Sequence, residues 1–92
     1  MSERAVRRGE VLWRVAPGYL VVGSADGRLV EIGGSADKVW AALPAPGAVP
    51  IAVQALTRQL AALHEVPEEV AARDVEAVLA ALETIGAVDD QR

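Results

Sequence analysis

The stretch Tyr19-Leu20-Val21-Val22-Gly23-Ser24-Ala25-Asp26-Gly27-Arg28-Leu29-Val30-Glu31-Ile32 reads as two apolar, β-branched runs around an Asp-Gly pair. Such a pair is a hairpin signal, because both central residues of a type I′ turn need positive φ. A two-residue loop at Asp26-Gly27 predicts Ala25 opposite Arg28, Gly23 opposite Val30 and Val21 opposite Ile32. These residues share one face; Val22, Ser24, Leu29 and Glu31 share the other. After Ile32 come Gly33, Gly34 and Ser35, then a helical pattern, so the second strand has no later strand to pair with. Arg28–Ile32 is therefore expected at an outer edge. Its free row of N–H and C=O groups is a hazard or a docking site for an extended peptide, and we read it as the second.

Upstream, residues 1 to 10 are polar and expected to be loose. Val11–Val15 reads as a first strand and Pro17-Gly18 as the turn that leads into the hairpin. Downstream, Ser35 is placed to cap a helix whose apolar residues are Val39, Trp40 and Leu43, and Pro44-Ala45-Pro46-Gly47 stops it. Pro50 suits the first turn of a second helix carrying Val53, Leu56, Leu60 and Leu63. Pro67 starts a third, with Glu68 and Glu69 in its first turn and a seam of Ala71, Val75, Val78, Leu82 and Ile85; Gly86 ends it. The expected fold is α+β: an N-terminal three-stranded antiparallel sheet followed by three helices that cover one face. A single domain is expected over residues 11–88, with 89–92 as a tail.

Ninety-two residues support one modest core, built from Ala, Val and Leu around Trp13 and Trp40, since Phe is absent. There is no Cys, which suits a reducing compartment. The N-terminus lacks the apolar core of a signal peptide, and no run approaches the ~20 apolar residues of a membrane span. A cytoplasmic protein without membrane contact is the expectation. Net charge is −4, unevenly spread. Glu65, Glu68, Glu69, Asp74, Glu76, Glu83, Asp89 and Asp90 face only Arg73, whereas Arg4, Arg7, Arg8 and Arg14 crowd the start. Both clusters are expected to be solvated surface.

Little chemistry can be assembled from one His, no Cys and one Tyr. His64 has no second ligand at metal-binding spacing, so no metal site is expected. No nucleophile elbow surrounds Ser2, Ser24 or Ser35. Gly33-Gly34 lacks the remaining glycines and the Lys of a phosphate loop, and serves to turn a strand into a helix. No catalytic residue and no cofactor are expected; the chain is not read as an enzyme.

A family pattern does emerge from Leu29-Val30-Glu31-Ile32, Ala36-x-x-Val39-Trp40-x-x-Leu43, Leu56-x-x-x-Leu60-Ala61 and Val66, then Arg73-Asp74-Val75-x-x-Val78-Leu79-x-x-Leu82-x-x-x-Gly86-Ala87-Val88. Over residues 11 to 88 this resembles the PqqD family, the small proteins of pyrroloquinoline quinone biosynthesis and the related recognition elements of ribosomally made, modified peptides. The resemblance implies a winged helix-turn-helix-like fold that binds the leader of a precursor peptide and presents its core to a separate enzyme, such as a radical SAM enzyme or a leader peptidase. Gly33-Gly34 and Pro44-Ala45-Pro46-Gly47 depart from the pattern of the quinone protein. They point to a stand-alone recognition protein for another modified peptide, such as a lasso peptide or a radical-enzyme product.

The resemblance puts the leader beside Arg28, Leu29, Val30, Glu31 and Ile32, in a groove against the third helix. Ala77, Ala80 and Ala81 keep that helix flank low, Gly23 opposite Val30 is expected to leave room, and Arg28 and Arg73 suit leader carboxylates. Val30 and Ile32 are read as core residues whose backbones do the docking. The alternative function is a winged-helix DNA-binding regulator. It would have to bring Arg73 to phosphate amid Glu68, Glu69, Asp74, Glu76 and Glu83, so no nucleic-acid partner is expected. A free edge strand also permits a domain-swapped dimer beside the monomer.

Overall fold

The Asp-Gly hairpin forms, but with one residue more in its loop than a type I′ turn allows. In the computed structural model, which describes residues 4–91, strand β3 (Tyr19–Gly23) pairs with β4 (Leu29–Ile32) so that Gly23 faces Leu29, Val22 faces Val30 and Leu20 faces Ile32. The Ser24 N–H donates to the Arg28 carbonyl at 2.7 Å, and the Gly27 N–H donates to the Ser24 carbonyl at 3.1 Å. Only Gly27 takes positive φ, +88°, so this is a type I turn closed by a glycine bulge. The Asp26 carboxylate favours it by accepting hydrogen bonds from the Ser24 hydroxyl and, at 3.3 Å, from the Arg28 N–H. The expected register is thus off by one, and a one-residue slip exchanges the faces of a strand. The observed register buries Leu20 and Val22 under the helices, whereas the expected one would have buried Val21 and Gly23.

Strand β2 (Trp13–Ala16) completes the meander β2-β3-β4. Its turn is Pro17-Gly18 as expected, with Gly18 at φ +85°. The strand starts two residues later than the sequence suggests. Trp13 lies opposite Val22 on the helix side, where its ring meets Trp40 edge-on at 5.9 Å.

Segments expected to be a loose start and a tail instead form a second sheet. Strand β1 (Ala5–Arg8) lies between β5 (Ile51–Ala52) and β6 (Val88–Gln91); residues 1 to 3 and 92 lie outside the described part. The opposed charges of the two chain ends explain the pairing. Arg7 donates to Asp89 at 2.7 Å, and Arg4 donates to Asp90 at 2.8 Å, to Glu76 at 3.1 Å and to Glu83. Burial works against the Arg4 charge, but the hydrogen bonds and charges of Asp90 and Glu83 outweigh it and raise its pKa. Arg8 stacks over Trp13 and Trp40 at 4.9 and 5.3 Å and donates to the Trp40 carbonyl at the end of the first helix.

Helices α1 (Ala36–Ala42), α2 (Val53–His64) and α3 (Glu68–Thr84) follow the sheet in the expected order. Ser35 makes no side-chain cap on α1; its hydroxyl donates to Asp74 on α3 at 3.2 Å. Pro50 opens β5 rather than α2, and Leu63 stays exposed. The α3 seam is buried through Ala71, Val75, Val78, Leu79 and Leu82, and Gly86 ends the helix at φ +73°. Trp40, Leu20, Leu56, Leu79 and Leu82 are the large side chains of a single core between the helices and the inner face of the meander.

Candidate functional site

Among the described residues, strand β4 has one neighbour, β3. Hydrogen-bonded and non-hydrogen-bonded pairs alternate along an antiparallel ladder. The pair Ser24/Arg28 is bonded, so Val22/Val30 and Leu20/Ile32 are bonded as well. The backbones of Leu29 and Glu31 therefore turn outward, to the open margin. Two consecutive outward residues present two N–H and two C=O groups at strand spacing.

Helix α3 runs beside that margin and is tethered to it at both ends. At the turn, the Ala25 N–H donates to the Ile85 carbonyl at 3.1 Å; beyond Ile32, Ser35 holds Asp74. Between the tethers lies a trough with two depressions. One, of about 520 Å³, is lined by Arg28 and Val30 with Glu83, Thr84, Ile85 and Gly86. The other, of about 210 Å³, is lined by Ile32, Gly33, Gly34, Ala77 and Val78 with Asp74 and Ser35. From Asp74 to Ile85 the helix rises ~16 Å, room for about five residues of extended chain. Gly34 sits at φ +66°, a conformation that side chains oppose, and a Cβ added at Gly33 or Gly34 would meet nothing within 4 Å. The floor at this end is open.

Of the residues singled out from sequence, Arg28, Val30, Ile32 and Ala77 come together along the trough. Val30 and Ile32 are half-buried against the core as expected, but their backbones bond inward to β3 and do not face the margin, contrary to the expectation that they do the docking. The Leu29 and Glu31 side chains point to the opposite face of the sheet, with Leu29 74% exposed, so only their backbones serve the margin. Ala81 is half-buried and Ala80 and Arg73 are exposed, and none of the three lines either depression. The space expected from Gly23 is not on this side. Gly23 faces outward beneath Leu12, whose carbonyl oxygen would lie 3.6 Å from an added Cβ.

Sequence reasoning missed Ser35, Asp74, Val78, Thr84 and Ile85. The signal for four of them was the helical spacing of Asp74, Ala77, Val78, Ala81, Thr84 and Ile85, which places one continuous stripe along α3. At the turn, hydrogen bonds from the Ser24 hydroxyl and the Arg28 N–H hold the Asp26 carboxyl below its ordinary value of 3.8. Arg28 stands 3.6 Å from that carboxylate and remains 83% exposed. Among the described residues no cluster of three His, Cys, Asp or Glu could hold a metal ion, and no helix is long and apolar enough to cross a membrane.

An open strand margin is a place where an extended peptide can add as a further strand. The family model for coenzyme PQQ synthesis protein D (PqqD) matches residues 18–88, and the chain belongs to this family, that of the recognition elements of ribosomally made, modified peptides. Members are non-catalytic accessory proteins of quinone-cofactor and modified-peptide biosynthesis that bind a precursor peptide and work with a modifying enzyme. No curated protein and no solved structure matches the chain significantly.

Proposed function

We propose that the chain captures the leader of a precursor peptide as a fourth strand beside β4 and presents the remainder to a separate modifying enzyme. The observation that carries this is the outward pair of backbones at Leu29 and Glu31, facing the small-residue stripe of α3 across an open trough. Main-chain hydrogen bonds to these two residues supply binding that tolerates sequence, and alternate leader side chains supply selection. A leader Leu or Ile between Ile32 and Ala77 gains ~1.5–3 kcal/mol if fully buried. Arg28 at one end favours a leader acid there, and Asp74 at the other disfavours one. The unusual Gly33-Gly34 step widens that second end, in keeping with a leader other than that of the quinone precursor.

The test is fluorescence anisotropy with labelled leader segments of precursor peptides encoded near this gene. Binding with a Kd of ~1 μM or tighter, ~8 kcal/mol, is expected for one of them. Glu31→Pro removes an outward N–H and should weaken it by about tenfold, the loss of one hydrogen bond together with the bulk of the ring at the docking margin. Full affinity in Glu31→Pro would mean that the peptide does not zip along β4.

A further inference from the structure

The face of the β2-β3-β4 sheet turned away from the helices is apolar at its centre. Leu12 is 82% and Leu29 74% exposed there, and Tyr19 and Val21 join them around a shallow concavity of about 510 Å³. The strand register orders this face into rows. One row runs Arg14–Val21–Glu31 across the three strands; the next runs Leu12–Gly23–Leu29. Arg14 and Glu31 sit on opposite outer strands, two strand spacings or ~10 Å apart, and make no ion pair within the chain among the described residues.

We infer that this face docks a second copy of the same chain. A two-fold axis lying along β3, in the plane between two facing sheets, exchanges the β2 side of one copy with the β4 side of the other. Arg14 then meets Glu31 of the second copy, and Glu31 meets its Arg14. In the adjoining row Leu12 packs on Leu29 of the second copy, and the bare Cα of Gly23 lets the sheets approach. Such reciprocity is what an isologous interface requires, and the charges on the two flanks of the face satisfy it without help from any other protein. The footprint of three strands by four residues is only ~200 Å², well below the ~800 Å² per partner of a standard interface. The pair is therefore a weak, concentration-dependent dimer. It leaves the trough beside α3 open on both copies.

Sedimentation equilibrium of the full chain from low micromolar to millimolar concentration tests this. The average mass should climb from 9.6 kDa toward twice that value. Arg14→Glu should weaken self-association by about tenfold or more, because two acids then meet on each flank. Adding Glu31→Arg to it should restore association to within about threefold of the parent, a rescue expected only of a pair that meets across the interface. Leu29→Glu should abolish it. A mass that stays at one chain throughout would overturn the inference. So would a double variant no better than Arg14→Glu, or a dimer lost in Glu31→Pro but intact in Arg14→Glu, which would mean pairing through strand edges.

Discussion

Gly27 carries the hairpin, and its neighbours decide which hairpin it is. At φ +88° it adopts a conformation that costs a side chain about 1–2 kcal/mol, and no atom lies within 4 Å of an added Cβ. Gly27→Ala should therefore lower unfolding stability by about 1 kcal/mol through the backbone alone. Gly33→Ala, equally open but with no positive φ, should stay within about 0.5 kcal/mol. Urea unfolding of the two variants checks the contrast. Asp26 adds a pH dependence of definite sign. Its carboxyl is held below its ordinary value in the folded chain, so its contribution is present above the unfolded pKa and is lost as pH falls through the folded one. A side-chain NMR titration should place its midpoint below 3.8, and Ser24→Ala should raise it toward that value. These residues also mark the limit of what could be read from sequence. Asp-Gly announces a turn, but a two-residue and a three-residue loop both use it. The Ser24–Asp26 bond that selects the longer one is invisible as periodicity.

Strand β4 makes the consequence of that single residue measurable. With Val30 bonded inward to Val22 and Glu31 turned outward, proline should separate the two positions sharply. Val30→Pro deletes a ladder bond in a strand packed on the core and should cost ~3 kcal/mol or more, seen as a large fall in Tm by circular dichroism. Glu31→Pro should leave the helices intact, since an edge N–H facing solvent is where proline is tolerated. The reverse order, with Glu31→Pro the more damaging, would mean that the ladder alternates in the other sense. Helix α3 answers in the same way: Ala77→Trp fills the trough from an exposed position and should reduce leader affinity by about tenfold with little loss of stability. The three helices and the α3 seam were legible because long amphipathic patterns are strong signals. The edge position of β4 was legible because no strand-forming run follows Ile32 before the helices. Strands of four and two residues at the chain ends carry no period of their own, and β1 and β6 went unread.

At the scale of the molecule, charge joins what periodicity could not. The basic start and acidic end, expected to be solvated separately, neutralise one another across β1 and β6. Arg4 alone gathers Asp90, Glu76 and Glu83 and so fastens the terminal sheet to α3, the wall of the trough. Arg4→Met should cost about 2 kcal/mol, the worth of partly buried hydrogen bonds to charged partners. In a double-mutant cycle with Asp90→Asn the losses should be non-additive. Guanidinium denaturation of the four proteins measures both.

The antiparallel match of Ala5 with Gln91 also makes this architecture suited to rewiring. A short glycine bridge from Gln91 to Arg4 would close residues 4–91 into a ring that keeps the Arg4 contacts, and fresh ends could be opened in the exposed Ala45–Gly47 bend. Any catalytic module joined before residue 4 or after residue 91 would hang from the same corner of the scaffold.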